Sequence, residues 1–164
     1  EQPTAKEESE VEEGLGASEA SLAEPEPGDE IDNFRKLPAY QLAFAFASAA
    51  LDYMKRAEHE QREQHPLREQ FCHHALRIAA DIAGGHGMGY DEEVLCGNIV
   101  KHRWALGHAQ ETRRLIQLLI ERDGFHPGLT ALLAAIPPII KALEERIAKL
   151  RAKVWWGQEH RGRG

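Results

Sequence analysis

Histidine is the residue type in this sequence with the clearest potential for chemistry. Nine of the 164 residues are histidine, and imidazole both ligates transition metals and titrates near neutral pH. His74 and His102 lie on the apolar sides of two successive predicted helices, at similar distances from the turn between them, so an antiparallel hairpin makes them neighbours. Di-iron bundles carry Glu-x-x-His on two helices, and this pattern is absent. We therefore expect a hydrogen-bonded core pair, with a metal site or a pH-sensitive contact as alternatives.

Nucleophiles and phosphate-binding loops are not indicated by the sequence. Ser48 lies in an alanine-rich helix, and the thiols of Cys72 and Cys96 have no visible orienting partners. The glycine-rich run from Gly84 to Gly89 follows a predicted helix and precedes Tyr90, whereas a nucleotide-binding loop follows a strand and ends in Lys-Ser or Lys-Thr. We expect a tight helix-to-helix turn there. The sequence predicts a protein that is not an enzyme and has no cofactor and no metal.

The C-terminal end combines cations with indole rings. From Lys141 onward there are seven Lys and Arg against three Glu, and such a mixture can pair with phosphates while bases stack on the rings. The alternative is that Trp155 packs as the last helical turn and the glycine-rich end frays. The candidate nucleic-acid contacts are Lys149, Arg151, Lys153, Trp156, Arg161 and Arg163.

The elements that must position these residues are four amphipathic helices. Pro38 opens the first, which is predicted to run to about Gln64, and Pro66 opens the second, which ends in the glycine run. Asp91 is the predicted N-cap of the third helix, which reaches Asp123. The predicted core stripe of the first helix comprises Leu37, Tyr40, Phe44, Ala47, Leu51 and Met54.

The fourth helix is predicted from three-four spacing between Leu132 and Val154, and the stripe stays in phase across Pro137 and Pro138, which favours a kink over a break. No segment alternates like a strand, and the connections are short. The predicted fold is all-α, an antiparallel up-down-up-down four-helix bundle over residues 34–154. Residues 155–164 are predicted to form a basic, flexible C-terminal tail.

The N-terminal segment has a different character. Residues 1–33 carry one lysine against twelve Asp and Glu, a balance of −11, while the remainder has a balance of +4. We predict a disordered acidic tail, because such a composition cannot bury enough apolar surface to offset its ordering entropy. An alternative is an acidic strip that folds back on the basic end and competes with nucleic acid.

Apolar residues outside the predicted stripes indicate a contact surface. A monomeric bundle would expose them, and a ring of identical bundles would cover them through heterologous contacts. The predicted oligomer interface comprises Leu42, Phe46, Tyr53, Val100 and Trp104.

Composition indicates an ordinary soluble domain. The longest apolar run, from Leu42 to Leu51, is shorter than the roughly 20 residues that span a bilayer, so no membrane association is expected. Two isolated cysteines are too few for a disulfide scaffold or a four-thiolate zinc site. We predict a cytoplasmic protein with reduced thiols.

Three local patterns, in order, resemble the four-helix bundle proteins encoded in 23S ribosomal RNA intervening sequences. Ile78 to Gly85 is similar to their I-P-A-N-I-A-E-G segment, and Ala105 to Glu111 followed by Leu115 resembles A-L-G-S-x-x-E with its later leucine. The start of the first helix resembles their F-x-x-L-x-x-W motif through Phe34, Leu37 and Tyr40.

This resemblance implies a small non-catalytic bundle that in some relatives forms a pentamer and is associated with RNA. The accessory variability proteins of diversity-generating retroelements look like cousins, and they bind a reverse transcriptase and nucleic acid. This chain departs from the family, since Cys72 and His73 replace two arginines, and Asp81 and Gly84 replace an asparagine and a glutamate. We therefore expect a homo-oligomeric accessory protein that binds RNA, DNA or a nucleic-acid-bound protein; a protein-protein adaptor and a metal-binding bundle are the alternatives.

Overall fold

The computed structural model describes residues 33–60 and 65–161, with side chains up to residue 154. The backbone forms a short 3-10 helix at Phe34–Lys36 and four α-helices. The α-helices are α1 (Pro38–His59), α2 (Pro66–Met88), α3 (Glu92–Asp123) and α4 (Pro127–Arg161). The acidic segment of residues 1–32, and the prediction that it is disordered, lie outside the described residues.

Four helices pack as an up-down-up-down bundle, which confirms the predicted fold class. Helix α2 packs against α1 and α3, and α4 packs against α3 and α1. Within the described ranges α1 and α3 do not contact each other, so they lie diagonally across the bundle. No strand occurs in the described ranges.

Helices α2, α3 and α4 each carry an apolar stripe at three-four spacing, and these stripes form much of the core. The largest fully buried side chains come mainly from these stripes, because their three-four spacing presents one apolar side to the bundle axis. They include Phe71, Ile78, Ile82, Ile116, Leu119, Ile136, Ile139, Leu143 and Leu150.

The predicted core face of α1 was right only in part. Leu37 and Ala47 from the predicted stripe are buried, and Tyr40 and Met54 pack against the core while partly exposed. The stripe residues Phe44 and Leu51 are exposed, with 57% and 38% of their surface accessible, whereas the buried face comprises Ala39, Ala43, Phe46, Ala47, Ala50, Tyr53 and Ala57. Both sides of this helix are apolar, so periodicity alone cannot choose between them. The structure selects the alanine-rich side because small side chains let neighbouring helices approach closely.

Two of the four helices begin at a His-Pro dipeptide. Nδ1 of His65 accepts a hydrogen bond from the amide of Leu67 at 3.1 Å, and Nδ1 of His126 accepts one from the amide of Gly128 at 3.1 Å. Each imidazole thereby satisfies an amide that has no partner within the helix, while the following proline fits the first helical position. Sequence reasoning recognised Pro66 as a helix start and missed Pro127 and both capping histidines.

Helix α2 ends within the glycine run, as predicted, but at the far end of it. The helix continues through Gly84, Gly85 and Gly87 to Met88, and only Gly89 adopts a positive φ, at 95°. Gly85 lies at a close crossing with α3, where a Cβ atom would stand 2.8 Å from Nδ1 of His102. The glycine at position 85 therefore serves helix packing.

The ends of α1 and α4 also differ from the predicted boundaries. Helix α1 ends at His59, and the predicted extension to Gln64 falls on residues 61–64, outside the described ranges. Helix α4 runs through Pro137 and Pro138 without a break and continues to Arg161, beyond the predicted bundle boundary at residue 154.

Candidate functional site

The basic end of α4 lies against Tyr90, in the turn between α2 and α3. A guanidinium nitrogen of Arg146 donates a hydrogen bond to the Tyr90 hydroxyl at 2.7 Å. The ammonium of Lys153 lies 5.2 Å from the centre of the Tyr90 ring, within the range of a cation–π contact. Lys149 shares a cavity wall with Arg146. Since these three cations are spaced by three and four residues, they occupy one side of α4, which we call the α4 basic face.

The α4 basic face is connected to the start of the bundle. The Tyr90 hydroxyl lies 2.6 Å from Nδ1 of His86, and the His86 ring lies 6.0 Å from the ring of Phe34, where the described chain begins. A cavity of about 240 Å³ adjoins this cluster and is lined by Leu37, Pro38, Ala39, Ala142, Glu145, Arg146 and Lys149.

The structure describes the side chains of only three of the six predicted nucleic-acid contacts. Lys149, Arg151 and Lys153 are exposed on α4. Arg151 is two residues from each neighbouring cation, so it projects from roughly the opposite side of the helix. The backbone of α4 includes Trp156 and Arg161, whose side chains lie outside the description, as does the whole of Arg163.

The predicted pairing of His74 with His102 was wrong. His74 instead meets His108, with their Nδ1 atoms 2.7 Å apart, while Nδ1 of His102 lies 3.0 Å from the Asn98 carbonyl within α3. The two residues were expected at the same height, but His102 lies beside Gly85 and therefore several residues along the bundle from His74. The expected height was wrong because α2 continues through the glycine run to Met88, which moves the turn toward α3.

His74 and His108 belong to a charged cluster around a buried carboxylate. Oδ1 of Asp81 lies 3.3 Å from a guanidinium nitrogen of Arg77 and 3.2 Å from Nζ of Lys101. Oδ2 lies 3.4 Å from Nε2 of His108, a contact that is ionic only when the His108 ring is protonated. The two facing cations compensate the buried charge. Sequence reasoning treated Asp81 only as a departure from a motif, although the Arg77–Asp81 spacing of four was a visible signal.

The two contacting imidazoles share one hydrogen bond, so one Nδ1 carries the proton and the other accepts it. Partial burial lowers the pKa of both His74 and His108, because desolvation disfavours the charged ring. This cluster supports charge compensation between α2 and α3. Within the described residues no group of three or more His, Cys, Asp or Glu side chains is arranged to hold a metal ion.

His102 is a separate, fully buried imidazole. Burial is the main cause that lowers its pKa to about 4, since the core cannot solvate a charged ring. The neutral ring lies so close to Gly85 that a Cβ atom at position 85 would stand 2.8 Å from its Nδ1. His102 therefore has a structural role, and its lowered pKa makes the stability of the fold depend on pH.

The predicted oligomer interface divides into exposed and buried residues. Leu42 on α1 and Val100 and Trp104 on α3 are exposed, with 40%, 43% and 52% of their surface accessible. Phe46 and Tyr53 are buried in the core, so the expectation that a monomer would expose them was wrong. The reason is that the buried face of α1 is rotated from the predicted stripe by about one residue, or roughly 100° around the helix.

Beside Leu42, an apolar groove runs between α1 and α4. It has a volume of about 430 Å³, and Phe46 and Tyr53 form part of its wall rather than its outer surface. The other lining residues are Leu42, Ala45, Ala49, Arg56, Gly128, Ala131, Leu132, Ala135 and Pro138.

Helix α4 also has the length and composition of a membrane-spanning helix. The stretch Pro127–Val154 contains an 18-residue window of mean hydropathy 1.3. Ile136, Ile139 and Leu143 from this stretch are buried in the core, and 28% of the window is buried in all.

Comparison with known proteins supports the fold. No family model matches the chain, and no curated protein matches it. The structure is similar to the crystal structure of a protein of unknown function from the S23 ribosomal protein family of Bacteroides thetaiotaomicron, with a TM-score of 0.58 and 22% identity. The match covers 66% of this chain and 97% of the other. At this identity the likeness defines the class of fold, an all-α helical bundle, and nothing finer.

Proposed function

We propose that this protein is a non-catalytic, cytoplasmic accessory protein that forms a homo-oligomer and binds nucleic acid through the basic end of α4. The observation that carries the proposal is the placement of Lys149, Arg151 and Lys153, exposed along one short stretch of α4, with the aromatic ring of Tyr90 beside Lys153. Cations for phosphates and a nearby ring are the elements of sequence-tolerant single-strand binding.

One protomer supplies few cations, so oligomerisation strengthens the proposal. Affinity from phosphate neutralisation grows with the number of contacts, and several linked copies gain avidity beyond each copy alone. The exposed apolar residues suit such an assembly, because Leu42 on α1 and Trp104 on α3 belong to helices that lie diagonally across the bundle. Two unlike flanks on opposite sides favour heterologous, ring-forming contacts. A pentamer is the number that the sequence resemblance implies.

The binding proposal is tested by titrating labelled single-stranded RNA with the full chain and measuring fluorescence anisotropy at low and moderate salt. We expect binding that weakens steeply with salt, since counterions are released. Lys149→Ala with Lys153→Ala is expected to weaken binding and to flatten the salt dependence. Lys55→Ala is the matched control, because Lys55 is exposed near the other end of the bundle. A confirmed oligomer that binds no nucleic acid at low salt overturns the proposal.

The assembly is tested by size-exclusion chromatography with light scattering. Trp104→Glu is expected to weaken or dissociate the oligomer, because it removes the indole ring from the interface and burying a carboxylate there carries a desolvation cost. Phe125→Glu provides a control, because Phe125 lies outside the proposed interface and a larger fraction of its surface is exposed than of Trp104. A monomer at every concentration for the unmodified chain contradicts this part of the proposal.

A protein-protein adaptor is the second candidate, and the α1–α4 groove favours it. Its lining is mostly apolar, with Arg56 as the charged residue in its wall, and concave apolar surfaces of this kind accept side chains of a partner protein. A nucleic-acid-processing protein such as a reverse transcriptase is the proposed kind of partner. Ala49→Arg would fill the groove. If partner binding is lost in this variant while Lys149→Ala with Lys153→Ala has no effect, the adaptor function is supported over nucleic-acid binding.

A further inference from the structure

The point at which the acidic segment joins the bundle lies beside the α4 basic face. Residues 1–32 contain one lysine and twelve acidic residues, and the described chain begins at Asn33, directly before Phe34. The Phe34 ring packs on Tyr40 at 4.8 Å and lies 6.0 Å from the His86 ring, and His86 contacts Tyr90. Tyr90 in turn contacts two of the three cations of the α4 basic face. The acidic segment is therefore tethered next to the cations.

The adjoining cavity has the charge that would accept a carboxylate. Leu37 and Pro38, just after the junction, line it on one side, and Arg146 and Lys149 line it on the other. Glu145 is the carboxylate in its wall, and it lies 3.9 Å from Nζ of Lys141, a cation outside the cavity lining. A carboxylate entering the cavity therefore lies beside two cations and one carboxylate, a local charge balance that favours an anion.

We propose that the acidic segment of residues 1–32 docks on the α4 basic face of its own chain and competes with nucleic acid for Lys149 and Lys153. The docking follows from charge complementarity and tethering alone, and its regulatory consequence rests on the proposed nucleic-acid binding. A short tether produces an effective concentration on the order of millimolar, so even a weak contact is occupied much of the time. Carboxylates compete here because, like phosphates, they present negatively charged oxygen acceptors to the ammonium groups.

The docking is tested directly on the full chain by carbodiimide coupling, which joins a carboxylate to a neighbouring amine, followed by peptide mass spectrometry. We expect crosslinks from glutamates of residues 1–32 to Lys149 and Lys153 at low salt, and their loss at high salt. Lys55 is exposed on α1 and serves as the control amine. Equal labelling of Lys55, or crosslinks that persist at high salt, overturns the docking.

A matched pair of substitutions tests the face itself. Lys153→Ala and Arg151→Ala each remove one cation from the same stretch of α4, yet the two side chains point to different sides of the helix. Lys153→Ala is expected to reduce the crosslinking of Lys149 severalfold, and Arg151→Ala to leave it unchanged. Equal effects mean that the segment responds to overall charge and does not dock on this face.

Competition is tested by neutralising the segment without shortening it, with Asn for Asp and Gln for Glu throughout residues 1–32. If a docked segment blocks about nine-tenths of the sites, the neutral variant binds labelled RNA about tenfold more tightly at low salt. Equal affinity of the two proteins overturns the competition while leaving nucleic-acid binding intact. If the crosslinks form but neither protein binds RNA, the proposed nucleic-acid binding is refuted and the docking is supported.

Discussion

The close crossing at Gly85 provides the sharpest test of the structure. Replacing Gly85 with alanine places a methyl group 2.8 Å from Nδ1 and 3.0 Å from Cε1 of His102, and 3.0 Å from Cβ of Lys101. None of these atoms can move away easily, because the His102 ring is fully buried and a Cβ atom moves only with its backbone. Overpacking of this kind costs about 1–3 kcal/mol.

An opposing effect must be subtracted, since alanine is favoured over glycine inside a helix by about 1 kcal/mol. We therefore expect Gly85→Ala to lower the free energy of unfolding by on the order of 1 kcal/mol, which lowers Tm by about 4 °C for a domain of this size. Gly107→Ala makes the same chemical change in α3 at a position where a Cβ meets no atom within 4 Å. That control is expected to gain stability by up to about 1 kcal/mol.

Both variants are measured by urea unfolding, followed by circular dichroism at pH 7, and the sign of the difference is the result that matters. A Gly85→Ala protein at least as stable as the unmodified one refutes the close crossing of α2 and α3. A double-mutant cycle with His102→Ala locates the clash, because removing the ring should reduce the cost of the added methyl group. Additive effects of the two substitutions mean that His102 is not the obstacle.

Three further predictions concern stability. His65→Ala and His126→Ala each remove a helix cap and should lower the free energy of unfolding by about 1 kcal/mol in urea titrations. The pKa of His102 is lowered to about 4, so as pH falls the unfolded chain binds a proton there before the folded chain does. The free energy of unfolding should therefore fall by up to about 3 kcal/mol between about pH 6.5 and about pH 4. Urea midpoints that do not change over this interval would contradict the burial of the ring. Asp123→Asn breaks a mostly buried ion pair with Arg68 of α2, and it should lower the free energy of unfolding by on the order of 3 kcal/mol. Glu145→Gln, in an exposed ion pair with Lys141, should change the free energy of unfolding by less than about 1 kcal/mol. Thermal unfolding of both variants measures the difference.

Sequence periodicity predicted the four helices because α2, α3 and α4 each have one clearly apolar side. The same reasoning misassigned α1, where Phe44 and Phe46 lie on different sides and both look like core residues. Only the competition between packing partners places Phe46 inside and Phe44 outside. Alanine-rich helices carry this ambiguity generally, because alanine is tolerated both in cores and on surfaces.

The candidate site was predicted less completely than the fold. Exposed cations at the end of α4 follow from composition, and three of them are exposed as expected. Their relation to Tyr90 and His86 depends on how the turn after α2 folds back, which no local pattern encodes. The contact between His74 and His108 likewise depends on where α2 ends. The repeated His-Pro dipeptide at positions 65–66 and 126–127 was the one visible signal for the capping histidines.

Helices α1 and α3 lie diagonally across the bundle. An assembly that uses both helices as contact surfaces is therefore directional. One subunit offers its α1 flank and the next offers its α3 flank, so each contact joins unlike surfaces. A variant blocked at Leu42 and another blocked at Trp104 should each fail to grow a ring alone. Mixed in equal amounts, they retain one intact pair of surfaces and should stop at a heterodimer, whereas a two-fold symmetric contact would yield no such product.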